Sequence, residues 1–526
     1  MSSQEARSSL GSLVFASLAV LSLLAVGTFL WFRPNLMSAT EGTPGQSGEG
    51  GGDPLLKGWE KPVVALMLSG EMHGYIEPCG CTAGQTGGLA RRATLAKQLR
   101  EERDWNVVGL DLGGTMIAER IGRMQTKMKF EMARDALESI GFVSLGIGYE
   151  EALPRQDDLL EISERDKGQP DYDLRLTSAN VLPYPDNPEL DIVQTYRVID
   201  VPTKGGAGPY RVVVTSILGE SVSKGIASDL FFKIDPPAAA LTAILPQMKA
   251  EKPDLLVLLS HAKADESERL AQQFPDFPIV VSLGGPEDGQ LKPKYVGKTW
   301  FLQVGQKGKN VGMVGVYPEA EEKFRYELVK LDGARFKNSP ELDDRMQDYQ
   351  DRLRDERPDL QDNSNPPAHP SGRTYVGAET CAGCHQGSYD KWASTGHAHA
   401  FESLSTGRAT HEGRWIDRKW DAECIACHTV GWEPQQAFRW KSGFVDEATT
   451  PNLLGNQCEN CHGPGSRHVE LENGGDGTEA DIAEERKRMW LSKEQAKEKT
   501  CRQCHDGDND PHFDFDEYWP KIEHHD

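Results

Sequence analysis

Four pentads of one design constrain this chain more than any other feature: Cys381-Ala-Gly-Cys384-His385, Cys424-Ile-Ala-Cys427-His428, Cys458-Glu-Asn-Cys461-His462 and Cys501-Arg-Gln-Cys504-His505. Cys-x-x-Cys-His is the attachment signature of c-type haem. The spacing has a chemical cause. Two thiols separated by two residues form thioethers with the two vinyl groups of one porphyrin, and the histidine that follows falls under the iron as its axial ligand. A zinc ribbon or a thioredoxin-like redox pair would use the Cys-x-x-Cys spacing without needing histidine directly after it. Here histidine follows all four. The sequence therefore predicts four covalent haem c groups, with His385, His428, His462 and His505 as proximal ligands.

From Tyr375 onward few apolar runs are long enough for a conventional core, so the porphyrins must supply much of the buried apolar surface. Short helices and loops wrapped around haem are expected, and the region should not fold without it. Each iron also needs a second axial ligand or stays open. The candidates outside the pentads are His397, His399, His411, His468, His512, His524 and His525. Two histidines on one iron make an electron-transfer centre, whereas an open position admits a small molecule.

Eight of the ten cysteines belong to the pentads, leaving Cys79 and Cys81, so the chain is not a disulfide scaffold. Acids outnumber Lys plus Arg by 81 to 58, a formal charge of −23. Nucleic-acid binding would demand a basic face, and this balance argues against it.

Leu10 to Phe32 carries no charged residue. A bilayer-spanning helix needs about 20 such residues, so an uncleaved N-terminal anchor in the cytoplasmic membrane is expected; Ser38-Ala39 offers a weak cleavage site for the alternative, a secretory signal. Haem c is attached outside the cytoplasmic membrane, which puts the bulk of the chain in the periplasm or its equivalent. Met37 to Asp53 reads as a flexible tether. The expected layout is an anchor or signal over 1–36, a linker over 37–60, an α/β domain over 61–335, a helical and Pro-rich linker over 336–373, and the haem domain over 374–526.

Between Lys61 and Lys330 apolar strands alternate with helical patterns. Strands are expected at Val63–Leu68, Val107–Asp111, Arg211–Leu218, Leu255–Ser260, Ile279–Ser282 and Trp300–Val304, and helices over Gly88–Glu101 and Met128–Ile140. This is an α/β pattern with a largely parallel sheet. Ligands bind at strand ends in such sheets, where this chain carries Glu71 and His73, Asp111 to Thr115, and His261. Cys79-Gly80-Cys81 is either a tight turn with two thiols or a thiolate pair that joins His73, with Glu71 or His261, around a soft metal. In the linker, Ser339 and Pro340 start a helix whose Leu342, Met346, Tyr349 and Leu353 share one face.

Two resemblances follow. Gly87-Gly88-Leu89-Ala90-Arg91-Arg92, Leu110-Asp111-x-Gly113, Thr177-Ser178-Ala179-Asn180-Val181, Val257-x-x-Ser260-His261 and Gln303-Val304-Gly305-Gln306-x-Gly308-Lys309 resemble the bacterial 5′-nucleotidase branch of the calcineurin-like metallophosphoesterases. The resemblance implies a four-layer sandwich of two mixed sheets between helices, and two-metal hydrolysis in active members. The metal ligands are mostly replaced. Glu71 stands for the first Asp although His73 remains, and Gly114 stands for the bridging Asp. Ile147-Gly148-Tyr149 replaces Asn-His-Glu, His261 survives, and Pro286-Glu287-Asp288 replaces the final His pair. Two-metal catalysis needs a full ligand set, so an inactive docking or positioning domain is expected. Further on, Thr380-Cys381-x-x-Cys384-His385, Trp392-x-x-Thr395-x-His397-Ala398-x-Ala400-x-Glu402-Ser403-Leu404 and Cys458-Glu459-x-Cys461-His462-Gly463-Pro464-Gly465 resemble the tetrahaem cytochrome c family of the c-five-five-four type, electron carriers of ammonia-oxidising bacteria that accept electrons from hydroxylamine oxidoreductase. That resemblance implies His468 on the first haem, His397 on the third, an open second haem that His411 would close if it reached the iron, and a C-terminal histidine on the fourth, for which His512, His524 and His525 compete.

The leading functional expectation is a membrane-tethered periplasmic tetrahaem electron carrier with donor and acceptor cytochromes as partners. The alternatives are a haem oxidoreductase acting on a small nitrogen or sulfur species at the haem of His428, and an active metallophosphoesterase fused to a cytochrome. The acid-rich stretch from Asp506 to Asp526, with Lys521 its one Lys or Arg, is either a solvated tail or a steering surface for a basic partner.

Overall fold

Strands of Val, Leu and Ile assemble into two six-stranded sheets between Val64 and Lys330. The structure, a computed structural model, describes residues 55–78, 84–117, 121–153, 156–203, 208–226, 232–407 and 414–524. From edge to edge the first sheet runs Phe324–Lys330, Asn310–Val316, Val64–Ser69, Val107–Asp111, Phe142–Gly146, Arg175–Thr177. Its last four strands are parallel; the first two pair antiparallel. The second runs Lys294–Val296, Thr299–Leu302, Ile279–Ser282, Leu255–His261, Tyr210–Leu218, Arg197–Val201. Its four inner strands are parallel and both edges antiparallel.

Side-chain alternation builds the layers. In Val64–Ser69, Val64, Leu66 and Leu68 meet Val212, Val214, Val257 and Val281 of the other sheet in one buried cluster. Ala65 and Met67 face the opposite way, under the helices Leu89–Lys97 and Arg123–Ile140. Pro237–Ala250 and Ala264–Gln273 cover the outer face of the second sheet. The result is helix, sheet, sheet, helix. Both sheets are mixed rather than largely parallel, because antiparallel edge strands complete each one.

The helical part of the expected linker packs against this sandwich. Ser339 occupies the N-cap of Pro340–Glu356, but its side chain makes no capping bond; the pre-set backbone of Pro340 starts the helix. Leu342, Met346, Tyr349 and Leu353 are buried in the cluster under the first sheet.

From Ala378 on, helices are short, as expected: Ala378–Ala382, Gln386–Ala393, Ala400–Thr406, Ala422–His428, Cys458–His462, Ser466–Glu472, Glu479–Met489 and Phe515–Ile522. Their apolar cluster is small, built on Phe401, Leu404, Ile425, Val430, Trp432 and Phe444. It packs with the sandwich into one unit over Leu55–Asp526. Among the described residues no helix is long and apolar enough to cross a membrane. The expected span Leu10–Phe32, Cys79, Cys81, His411 and His525 lie outside the described residues.

Candidate haem centres

Local helix geometry gathers each pentad. One helical turn brings residues three and four apart to the same side, so paired thiols and the following imidazole converge. Cys424, Cys427 and His428 lie on Ala422–His428, whose N-cap Asp421 accepts the Glu423 N–H at 3.1 Å. Cys458–His462 carries a Gln457–Asn460 capping box. Glu459, buried within that pentad, accepts N–H bonds from Val376 (2.9 Å), Gly377 (2.8 Å) and Gly465 (2.7 Å), tying the first and third attachment sites together.

The histidines face one another in pairs. The rings of His385 and His468 are 6.3 Å apart and tilted 25°, those of His397 and His505 are 6.0 Å apart at 55°, and those of His462 and His524 are 5.9 Å apart at 58°. An iron bonded at about 2 Å to one nitrogen of each ring sets two ring centroids about 6 Å apart. All three pairs fit that requirement. The pairing exchanges two expected assignments. His397 faces the fourth pentad rather than the third, and the C-terminal His524 faces the third rather than the fourth. Among the described residues no second imidazole faces His428, whose Nδ1–H donates to the Ala400 carbonyl at 2.6 Å. His399 and His512 are exposed, and His399 lies 3.4 Å from Glu402.

Burial favours the neutral state that a metal ligand requires at four of these imidazoles. It depresses His397 to about 4 and lowers His428, His462 and His468 below the ordinary histidine range. Thiols of different pentads also meet. Cys381 contacts Cys458 and Cys427 contacts Cys504, while Cys461, pushed up to about 12 by burial, lies beside Cys501. A cavity of about 1010 Å³ opens between Cys461, His462, His397, Cys504 and His505. Trp519 lines it and keeps a buried Nε1–H without an acceptor. Spacing, neutrality, room and an unmet donor all suit haem.

The strand-end cleft of the sandwich is filled by its own side chains. Glu151, fully buried, accepts N–H bonds from Gly114 (2.9 Å), Thr115 (2.6 Å) and Gly148 (2.8 Å). Two of these amides, those of Gly114 and Gly148, belong to positions where the resemblance implies lost metal ligands. His261 donates from Nδ1 to the Leu112 carbonyl (3.3 Å) and accepts the Tyr149 N–H at Nε2 (3.2 Å), so both ring nitrogens are engaged. Burial lowers it to about 4. His73 pairs with Glu150 at 3.0 Å. Burial lifts Glu71 to about 7, and its Oε2 accepts the Gly284 N–H at 3.0 Å. Among the described residues no three His, Cys, Asp or Glu form a group able to hold a metal. The expected additional metal at Cys79, Cys81 and His73 is not supported: both cysteines lie outside the described residues, and His73 and His261 are engaged with other partners. Glu150 and Glu151 were not singled out from sequence; an acidic pair directly after a Gly-x-Gly strand end was the available signal.

Residues 380–463 match the family model described as cytochrome c554 and c-prime. Cytochrome c-554 of Nitrosomonas europaea is 34% identical over 97 residues, a match that covers 17% of this chain and 39% of that protein. The sandwich is similar to solved phosphoesterase structures. A 5′-nucleotidase precursor of Thermus thermophilus has a TM-score of 0.46 at 17% identity, covering 55% of this chain and 59% of that one. The sulfate thiohydrolase SoxB of the same organism has a TM-score of 0.45 at 15% identity, covering 56% and 62%.

The cytochrome c554-like part docks on the sandwich beside the second pentad. Asp421 accepts from Gln125 Nε2 (2.7 Å) and Gln350 Nε2 (3.0 Å), and Lys129 pairs with Glu423. Arg418 grips Glu77 through both carboxylate oxygens, at 2.6 and 2.5 Å. Asp508 binds Lys307 and, at 2.7 Å, the Tyr75 hydroxyl. The acidic C-terminal stretch is divided: Asp506, Asp508 and Asp510 are half-buried, whereas Asp514, Asp516, Glu517 and Glu523 are exposed. Asp508 docks, Asp510 meets His505, Asp514 caps Phe515–Ile522 and Asp516 pairs with Lys497.

Proposed function

We propose that this chain is an extracytoplasmic multihaem c-type electron carrier. Cys381 and Cys384, Cys424 and Cys427, Cys458 and Cys461, and Cys501 and Cys504 each bind one haem, with His385, His428, His462 and His505 as proximal ligands. His468 completes the first centre, His524 the third and His397 the fourth. Bound haem supplies a one-electron iron couple at each site. The observation that carries this reading is the set of three histidine pairs spaced 5.9 to 6.3 Å. Two imidazoles on an iron leave no coordination position for substrate, which favours electron transfer over small-molecule chemistry. The thiol contacts support a passage of electrons through the sites in the order first, third, fourth, second. Donor and acceptor proteins of redox type follow from this role, and an N-terminal anchor would hold the chain at the membrane. The sandwich serves as the support on which the second and fourth sites are docked rather than as a hydrolase, because its cleft is occupied by Glu151 and its histidines are engaged.

A second reading rests on one observation. His428 lacks a facing imidazole among the described residues, so its haem would be open to a small nitrogen or sulfur species. Intact mass of the matured protein counts the haems, and spin-state spectroscopy counts the open ones. Four haems with one high-spin centre is the expected result. Fewer than four after full maturation would reject the assignment.

A further inference from the structure

The proximal histidines are not held alike. His428 Nδ1–H donates to the Ala400 carbonyl and His462 Nδ1–H to the Met489 carbonyl, each at 2.6 Å. His505 Nδ1–H instead donates to a carboxylate, Asp510 Oδ2, at 2.8 Å. The other oxygen of Asp510, Oδ1, is buried without a partner, so no second hydrogen bond competes for its charge. A carboxylate on the far nitrogen of a ligating imidazole makes the ring a stronger donor and stabilises the more positive metal state.

From this geometry we infer that Asp510 is a redox-tuning residue that lowers the reduction potential of the fourth haem, and that the sandwich domain holds it in place. The inference rests on the haem assignment above. Reduction adds one electron to the iron while the proton stays on His505 Nδ1. The ferric state is the one Asp510 favours, so the couple moves down relative to the same site with a neutral acceptor.

The holding is visible in the turn. Asp510 N–H donates to the Asp506 carbonyl at 2.9 Å, and Asp506 Oδ1 accepts from Asp508 N (3.0 Å) and Asn509 N (2.7 Å). Phe513, three residues on, stacks on His505 at 4.5 Å and 21°. The middle of this turn, Asp508, is fastened to Lys307 and Tyr75 of the sandwich. The Lys307 N–H in turn donates to the Glu71 carbonyl at 2.7 Å, in the strand-end cleft. A continuous series of bonds therefore runs from the cleft to the proximal histidine of the fourth site.

The test is a spectroelectrochemical titration of the full-length haem-loaded protein, with its four one-electron transitions assigned by EPR. Asp510→Asn keeps the shape and the hydrogen bond but removes the charge; one transition should shift to higher potential while three stay. Lys307→Gln and Tyr75→Phe should move the same transition the same way by less, and exposed Glu517→Gln should move none. Superimposable titrations of Asp510→Asn and parent would overturn the assignment of Asp510. A shift in Asp510→Asn with none in Lys307→Gln or Tyr75→Phe would overturn the holding role of the sandwich. Failure of the underlying haem reading would register separately, as a parent protein without four haems by mass. Lys307→Gln leaves the pentad and its turn residues intact, so it reads the inference even where Asp510→Asn matures poorly.

Discussion

Replacing His524 by alanine separates the observed pairing from the one implied by family resemblance. The His524 ring stands 5.9 Å from that of His462, the spacing of two imidazoles sharing an iron. On the proposed assignment its removal would leave the third haem attached through Cys458 and Cys461 with one axial ligand. That assignment has one centre of four open in the parent, at His428, and two of four in the variant, so the high-spin fraction should double. EPR resolves which centre changed. The 25° tilt of the His385–His468 pair should give a signal unlike those of the crossed pairs at 55° and 58°. His468→Ala should erase the near-parallel component, and His524→Ala or His397→Ala a crossed one. Exposed His399 and His512 supply controls whose alanine variants should match the parent. An unchanged high-spin fraction in His524→Ala, or an equal rise in the controls, would refute the pairing.

Reduced protein should bind carbon monoxide at one haem in four, read from the Soret change per haem; binding at none would mean that His428 has an opposing ligand. Asp421→Ala should destabilise the haem-loaded protein by about 2–4 kcal/mol, since it removes an N-cap and strands the amides of Gln125 and Gln350; denaturant titration measures it. Burial raises Glu71 from its ordinary 4.5 to about 7, so the folded chain binds that proton more tightly than the unfolded one. Its contribution is complete below pH 4.5 and is lost as pH rises through 7, up to about 3 kcal/mol. Glu71→Gln should flatten that slope. Nucleotides incubated with the protein and manganese or zinc should not be hydrolysed above a buffer blank, by phosphate release.

Some of this was legible in the residues. Val107–Asp111 and Ile279–Ser282 have the expected bounds, because strands buried on both faces read as unbroken apolar runs. Asn310–Val316 escaped notice, since Gly312 and Gly315 interrupt its apolar pattern, and Phe324–Lys330 alternates charge with apolar residues at an edge. Pro340–Glu356 showed its apolar stripe but not its target. The pentads point to attachment and proximal ligands by chemistry alone. Which distal histidine meets which pentad is a tertiary matter, and there spacing along the chain misleads: His397 lies nearest the first pentad in sequence and meets the last in space. The inward turn of Asp508 within the acidic C-terminal run was not legible, because its partners Lys307 and Tyr75 lie some two hundred or more residues upstream.

The filled cleft leaves little room for substitution. A side chain at position 148 would start 2.6 Å from Glu151 Oε2 and 2.5 Å from His261 Cε1, and one at position 114 would need the left-handed backbone at φ +75°. Introducing a metal-ligating side chain at either place would therefore cost about 1–3 kcal/mol of overpacking or strain before a metal arrived. Glu151, meanwhile, satisfies amides that would be orphaned if it left. A substitution at either glycine or at Glu151 therefore lowers stability on its own. The interior of the cleft can change only by concerted replacement of several residues.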